Sequence, residues 1–335
     1  MYAMHAPDGF LEPTVALATA VISVVVLVFA LRQSRRDLQD KQLPLAGIAA
    51  AFIFAAQMFN FPVASGTTGH LLGGALAAIL LGPATGSVVV TIVVVVQALL
   101  FADGGLSALG YNVLNMAIVP AFGGYALFLL FRRIMPKNSG GIVGATGLAA
   151  ALSVVLSAMA FSIEWLFGAS APIAFDDVFT AMVGVHLLIG IGEGLISALA
   201  IAAVLASRPD LVYGIRDLDQ AEYTARTKVS TRTFVIGGVV TALLFAVVVS
   251  QFAADDPDGL EKVSIDEGFA DQAQDHALGD SIFADYATSG IDNESLSLAI
   301  AGACGVVLTL VVGFGLFSAV RRGRQDEPDS SPAVV

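Results

Sequence analysis

Gly69-His70-Leu71-Leu72-Gly73-Gly74-Ala75-Leu76-Ala77-Ala78-Ile79-Leu80-Leu81-Gly82-Pro83 decides how the whole chain is threaded. The stretch is apolar but short of the roughly 17–25 residues that usually cross a bilayer as helix. Longer apolar stretches surround it, at roughly 13–31, 43–59, 84–102, 113–131, 142–167, 181–206, 233–252 and 296–317. If residues 69–83 form a span, every later loop changes side; a re-entrant hairpin would leave the sides as they were. The basic residues choose between the two. With nine spans and the N-terminus outside, one face collects Arg32, Arg35, Arg36 and Lys41; Arg132, Arg133 and Lys137; Arg208, Arg216, Arg226, Lys228 and Arg232; and Arg321, Arg322 and Arg324. Only Lys262 of the sixteen Lys and Arg then lies outside. Removing the short span would put two of these clusters outside, against the preference of Lys and Arg for the cytoplasmic side of short loops.

The predicted fold is therefore an all-α polytopic membrane protein, a seven-helix bundle plus two accessory transmembrane helices. It would be a multi-pass protein of the cell membrane, with an outer N-terminus and a cytoplasmic C-terminus. Composition agrees: 56% of the 335 residues are hydrophobic and 13% charged, with a mean hydropathy of +0.82, which excludes a soluble globular domain of this size. The polar break at 207–232 divides a seven-span unit, 1–206, from a two-span unit, 233–320. The tail 321–335, rich in Asp, Ser and Pro, is expected to be disordered. Nothing basic precedes the first apolar stretch, so the first helix is expected to stay in the protein. Ala16 with Ala20, and Gly190 with Gly194, have the small-xxx-small spacing that lets membrane helices approach closely.

The net charge of −12 argues against a nucleic-acid partner. Twelve Asp and Glu and one Lys fall in the outer loop 253–296. That loop reads most simply as a solvated surface, with a weak attraction for divalent cations as the functional alternative. The single cysteine, Cys304, gives no disulfide framework and is read as a small packing residue in the last span.

Two histidines carry the chemistry. His5 lies in Met4-His5-Ala6-Pro7-Asp8-Gly9-Phe10-Leu11, and His70 lies among glycines that allow close backbone approach. Both belong to the outer face. In a chain beginning at Met4, the terminal amine, the His5 backbone nitrogen and the His5 ring close a five- and a six-membered chelate ring on one metal ion. His70 can supply a fourth in-plane donor, and four nitrogens in a square suit Ni(II) and Cu(II), with Co(II) less strict. The residues Met1-Tyr2-Ala3 would replace that amine by an amide, a far poorer ligand: either the chain starts at Met4, or it starts at Met1 and His5 and His70 bind with weaker or altered geometry. The alternative is a pair of solvated side chains.

Ionisable residues inside spans are costly and become functional candidates by default. Glu164 is read near the outer end of the sixth span, His186 near the outer end of the seventh, and Glu193 two turns deeper on the same face. They form either a polar path or second shell below the metal, or a buried clamp between spans. Asn112 and Asn115 could line the outer pocket or cap a helix. The sequence contains no Gly-x-x-x-x-Gly-Lys-Ser/Thr loop and no His-Glu-x-x-His helix, so neither ATP hydrolysis nor zinc proteolysis is encoded. No nucleophile with a neighbouring base points to an enzyme.

Taken in order, Met4 to Leu11, Gly66 to Gly74, Gln97 to Gly105 and His186 to Glu193 resemble the cobalt/nickel substrate-capture component of energy-coupling factor transporters. Pro257-Asp258-Gly259-Leu260-Glu261 resembles the signature of the PDGLE domain, a two-span accessory unit. The resemblance implies that the N-terminus plugs an outer pocket and that Met4, His5 and His70 ligate transported Ni(II) or Co(II), with no resident cofactor. It further implies a separate transmembrane coupling subunit and a pair of ATPase subunits as partners. The competing reading is a self-sufficient secondary metal transporter or channel in which Glu164, His186 and Glu193 move protons or ions.

Overall fold

The computed structural model describes residues 5–38, 42–64, 66–218 and 229–325. Met4, Lys41, Arg226, Lys228 and the tail after 325 lie outside the described residues, as do the expectations attached to them.

Helix α1, Pro13–Asp37, opens on a proline whose missing N–H costs nothing at a first turn, and ends with Arg35 and Arg36 facing the negative end of its dipole. Its buried residues include Ala16, Thr19, Ser23, Ala30 and Ser34, whereas Leu17, Val21, Val24, Val28 and Phe29 are exposed. Small residues inside and large apolar residues outside is the pattern of a helix whose outer solvent is lipid. Six more helices complete the first unit: α2 Leu43–Gln57, α3 Gly74–Leu81, α4 Pro83–Leu100, α5 Leu109–Ile134, α6 Ser139–Gly168 and α7 Phe175–Ser207. The second unit supplies α8 Thr231–Val247, the short α9 Gly259–Glu267 and α10 Glu294–Gln325. Among the described residues, seven helices are long and apolar enough to cross a membrane by themselves; α2 and α3 are shorter.

The stretch that decides the threading is only half helix. Eight residues of α3 rise about 12 Å, and residues 69–73 ahead of it can add up to roughly 16 Å, so the two together match a hydrocarbon core of about 30 Å. Gly73 (φ 78) starts α3. Gly82 (φ 91) and Pro83 then turn the chain directly into α4. Irregular backbone at membrane depth survives only if its polar groups find partners. Here the Glu193 carboxylate accepts from Leu72 N (2.6 Å) and Gly73 N (3.0 Å), while Gln57 Nε2 donates to Leu72 O (3.1 Å).

The bundle has two distinct ends. At one, α1, α4 and α10 meet through Thr85 Oγ1 to Ser34 Oγ (3.1 Å) and Arg321 Nη1 to Leu38 O (3.2 Å). Arg132 pairs there with both oxygens of Asp217. At the other end stand the N-terminus of α1, the C-terminus of α4 and the 253–293 loop. Helix α5 contains a π-helical stretch, Val113–Ile118, immediately before Pro120. Proline cannot donate back to the preceding turn, so the helix widens there, and Ser157 Oγ takes up the Asn115 carbonyl.

Several expectations need correction. Cys304 is exposed, on the outward face that also carries Val307 and Val311, because α10 packs inward through Ala301, Gly305 and Thr309. The 253–296 loop is not merely a solvated surface: Asp258, Val263, Phe269 and Tyr286 are buried, with Phe269 against Phe10 (5.2 Å) and Trp165 (4.5 Å). Because α7 begins at Phe175 rather than near 181, His186 lies about three turns into its helix instead of near the end. The two units also share one core, since a Cβ on Gly47 would meet Leu310 and one on Gly238 would meet Ile48.

The Gly190 and Gly194 pair serves intramolecular packing. A Cβ on Gly194 would stand 2.6 Å from Gly147 O, and one on Gly190 2.5 Å from Ala151 O. Gly194→Leu should therefore force α6 and α7 apart and destabilise the protein by about 1–3 kcal/mol, read as a lowered Tm in detergent. Gly184→Ala, which meets nothing within 4 Å, should leave Tm unchanged or slightly raised.

Candidate metal centre

Residues 5–12 run into the bundle at the end where α1 begins, and His5, Ala6, Phe10 and Leu11 are all buried. Their depth is fixed by hydrogen bonds. The Asn112 side chain takes both backbone groups of Ala6, accepting from its N (3.2 Å) and donating to its O (2.9 Å). Gly105 N donates to the same carbonyl (3.1 Å), and Tyr111 OH donates to Pro7 O (2.9 Å). The Asp8 carboxylate accepts from Leu106 N, Ser107 N, Ser107 Oγ and Ala108 N at 2.6–3.2 Å, tying the segment to the loop that leads into α5. A side chain on Gly105 would collide with Asp8.

His70 enters from the opposite side of the pocket. A two-residue ladder, Phe61–Pro62 antiparallel to Thr68–Gly69, leads into it, and Glu193 clamps the backbone just beyond. Gly69 packs its bare Cα on Ile189, where a Cβ would come within 2.5 Å. His70 Nδ1 lies 3.1 Å from Leu71 O, a contact that favours the tautomer with its proton on Nδ1.

The two imidazoles stand edge to face, centroids 5.7 Å apart and planes at 61°. Among the described residues neither ring nitrogen of His5 has a hydrogen-bond partner, although the residue is only 3% exposed, and its Nδ1 stands 3.8 Å from Asp103 Oδ1. Buried polar atoms are almost always paired, so the ring is a candidate for binding a ligand. Burial holds the His5 ring below its ordinary pKa, against the opposing influence of Asp103, and a neutral ring is the form that binds metal. The backbone N of His5 donates to Asp103 Oδ1 (3.2 Å), whose other oxygen accepts from Tyr286 OH (2.6 Å). Tyr286 and its neighbour Asp285 occupy the left-handed region (φ 57 and 52). That conformation costs a non-glycine residue about 1–3 kcal/mol. It is held by the Tyr286 bond and by Asp285 N to Phe101 O (2.9 Å).

A cavity of about 70 Å³ lies between the rings, and His186, Asn115 and Asp258 also line it. His186 Nδ1 is 2.7 Å from Met182 O. Asn115 Nδ2 donates to Glu164 Oε2 (2.7 Å), which sits one layer behind the cavity lining. Glu193 likewise acts on the backbone beyond His70, at Leu72 and Gly73, and does not line the cavity. Among the described residues no three His, Cys, Asp or Glu side chains group tightly enough to cage a metal.

Three contributors escaped the sequence reading. Asp103 is signalled only by its place before Gly104-Gly105. Asp258 is signalled by a helix-capping Asp-Gly in an outer loop. Tyr286 has no local signal, because its role arises from the docking of a distant loop. Asp258 caps α9 by accepting from Glu261 N (2.8 Å) and turns its other oxygen to within 3.8 Å of His70 Nε2; burial pushes its pKa up to about 7.

Residues 5–211 match the family described as the cobalt uptake substrate-specific transmembrane region. The chain belongs to this family. Residues 232–322 match the PDGLE domain. A protein of Haloquadratum walsbyi whose name assigns it to metal transport is 43% identical over 63% of this chain and 94% of its own length. The fused nickel transport protein NikMN of Rhodobacter capsulatus is 30% identical over 95% of this chain and 98% of its own. A crystal structure described as a truncated transition metal transporter aligns with a TM-score of 0.53 at 32% identity, covering 60% of this chain and 98% of that one. The family's region contains His5, His70 and most of the groups that position them, whereas Asp258 and Tyr286 come from the PDGLE unit.

Asp8→Ala removes one charged acceptor from four donors at once. The segment 5–12 should loosen at a cost of roughly 1.5–3 kcal/mol. Hydrogen exchange should accelerate at residues 5–12 and 105–108 while the amides of α6 and α7 keep their protection.

Proposed function

We propose that this chain is the substrate-capture and permease component of an ATP-driven energy-coupling factor importer for nickel or cobalt ions, fused to its accessory unit. One observation carries the reading: a buried His5 imidazole, with no hydrogen-bond partner for its ring nitrogens among the described residues, set 5.7 Å from His70. In a chain beginning at Met4, the terminal amine, the His5 backbone nitrogen and the two imidazoles form the donor set. Asp103 stands beside the amide nitrogen that must lose its proton to bind. The donor chemistry suits nickel and, less strictly, cobalt, and the names of the relatives favour these two, the Geobacter sulfurreducens cobalt transport protein CbiM, 30% identical over 78% of this chain, among them.

The capture unit spans 1–206, the linker 207–232 and the accessory unit 233–320. The site end faces outward and the Arg-rich end the cytoplasm, as the positive-inside preference favours. In this reading a transmembrane coupling subunit and a pair of ATPases supply the energy; this sequence itself encodes no phosphate-binding loop. Glu193, Glu164 and His186 serve as positioning groups for the His70 loop and the cavity wall.

His5→Ala and His70→Ala should each weaken Ni(II) binding to the purified chain by more than about 100-fold, since loss of an outer-shell partner alone costs 10–100-fold. Circular dichroism should stay unchanged. Calorimetry showing wild-type affinity in both variants would remove the site. In membrane vesicles with the coupling and ATPase subunits, uptake should cease on ATP depletion; uptake by this chain alone without ATP would instead favour a secondary transporter.

A further inference from the structure

A second cavity, of about 320 Å³, lies on the solvent side of the first, between residues 5–10 and α9. Ile265, 52% exposed, marks its mouth. Glu261, half-buried, lines its wall, and three residues, His5, Asp258 and Leu260, line both cavities. A divalent cation that takes protein donors at the junction of the two cavities gives up water to do so, and that is affordable only where the donors replace what is lost.

The junction has such donors. Asp258 is 6% exposed, with Oδ1 engaged by Glu261 N and Oδ2 directed at His70 Nε2, 3.8 Å away. That separation is too long for a hydrogen bond. It suits two ligands of one first-row ion, whose bonds of about 2.0–2.2 Å to N and O place donors up to about 4.2 Å apart. His5, whose ring nitrogens have no hydrogen-bond partner among the described residues, stands at the same junction. The backbone holds the carboxylate there: Thr68 N donates to Pro257 O (2.9 Å) and Thr68 Oγ1 to Asp256 O (2.9 Å), so the strand leading to His70 and the strand leading to Asp258 are joined side by side.

We infer that Asp258 is a transient oxygen ligand, which replaces water on the incoming divalent cation in the outer cavity and passes it to His70. The inference rests on the reading of His5 and His70 as metal ligands. A transient ligand lowers the barrier in both directions and leaves the end states alone, so its removal slows loading and release together.

The test is stopped-flow Ni(II) binding to, and chelator-driven release from, the purified full chain, followed by the electronic spectrum of the bound ion. Asp258→Asn keeps the capping oxygen on α9, and Asp258→Ser keeps a good capping residue while withdrawing the reach toward His70. Both variants should slow association and dissociation by the same factor, about 10-fold or more, with the dissociation constant and the final spectrum of the wild type. Unchanged rates would overturn the proposal. A changed final spectrum, which would make Asp258 a resident ligand, or faster release with unchanged loading, which would make it structural, would overturn it equally. Failure of the wild type itself to bind Ni(II) would instead count against the ligand roles of His5 and His70.

Discussion

The depth at which residues 5–12 lie in the bundle is set by two side chains, and the geometry of the site depends on that depth. Asn112 reads both backbone groups of Ala6, and Asp8 collects four donors from the loop before α5. A shift of one residue along this groove would carry the His5 ring out of reach of His70. It would also move the His5 amide away from Asp103. The π-helical turn in α5 belongs to the same device, because it lies between Asn112 and Pro120 and sets the faces on which Asn112 and Asn115 are presented.

The opposite wall is built on a different constraint. A histidine delivered from irregular backbone at membrane depth leaves amides and carbonyls that lipid cannot satisfy. Glu193 and Gln57 absorb that cost at Leu72 and Gly73. The short α3 follows from it, since the chain spends about half its crossing on the His70 loop. The accessory unit then closes the site from above, through Tyr286 on Asp103, Gln274 N on Asp8 O (2.8 Å), His276 Nε2 near Gly104 O (3.2 Å) and Asp258 toward His70. Fusion of the two units in one chain keeps these contacts together without a cost in association entropy.

The spans were legible because lipid imposes length and apolarity on each helix separately, and the basic clusters at one end of the bundle were legible because charge is local in sequence. His5 and His70 stood out as rare ring nitrogens in an apolar chain. What could not be read was cooperation between distant segments. Tyr286 meets Asp103 across 183 residues, and nothing around Asp285-Tyr286-Ala287 announces it. The acidic loop misled for the same reason: its exposed Asp and Glu outweigh the few buried residues, Asp258, Val263, Phe269 and Tyr286, that dock it. Cys304 misled because a span has two faces, and composition alone does not say which one meets lipid.

The central claim is that both imidazoles enter the coordination sphere of the transported ion together with main-chain nitrogen. X-ray absorption on the Ni(II)-loaded chain beginning at Met4 tests it most directly. Four nitrogen donors with multiple scattering from two imidazole rings is the expected result. A sphere of oxygen donors without imidazole scattering would contradict it.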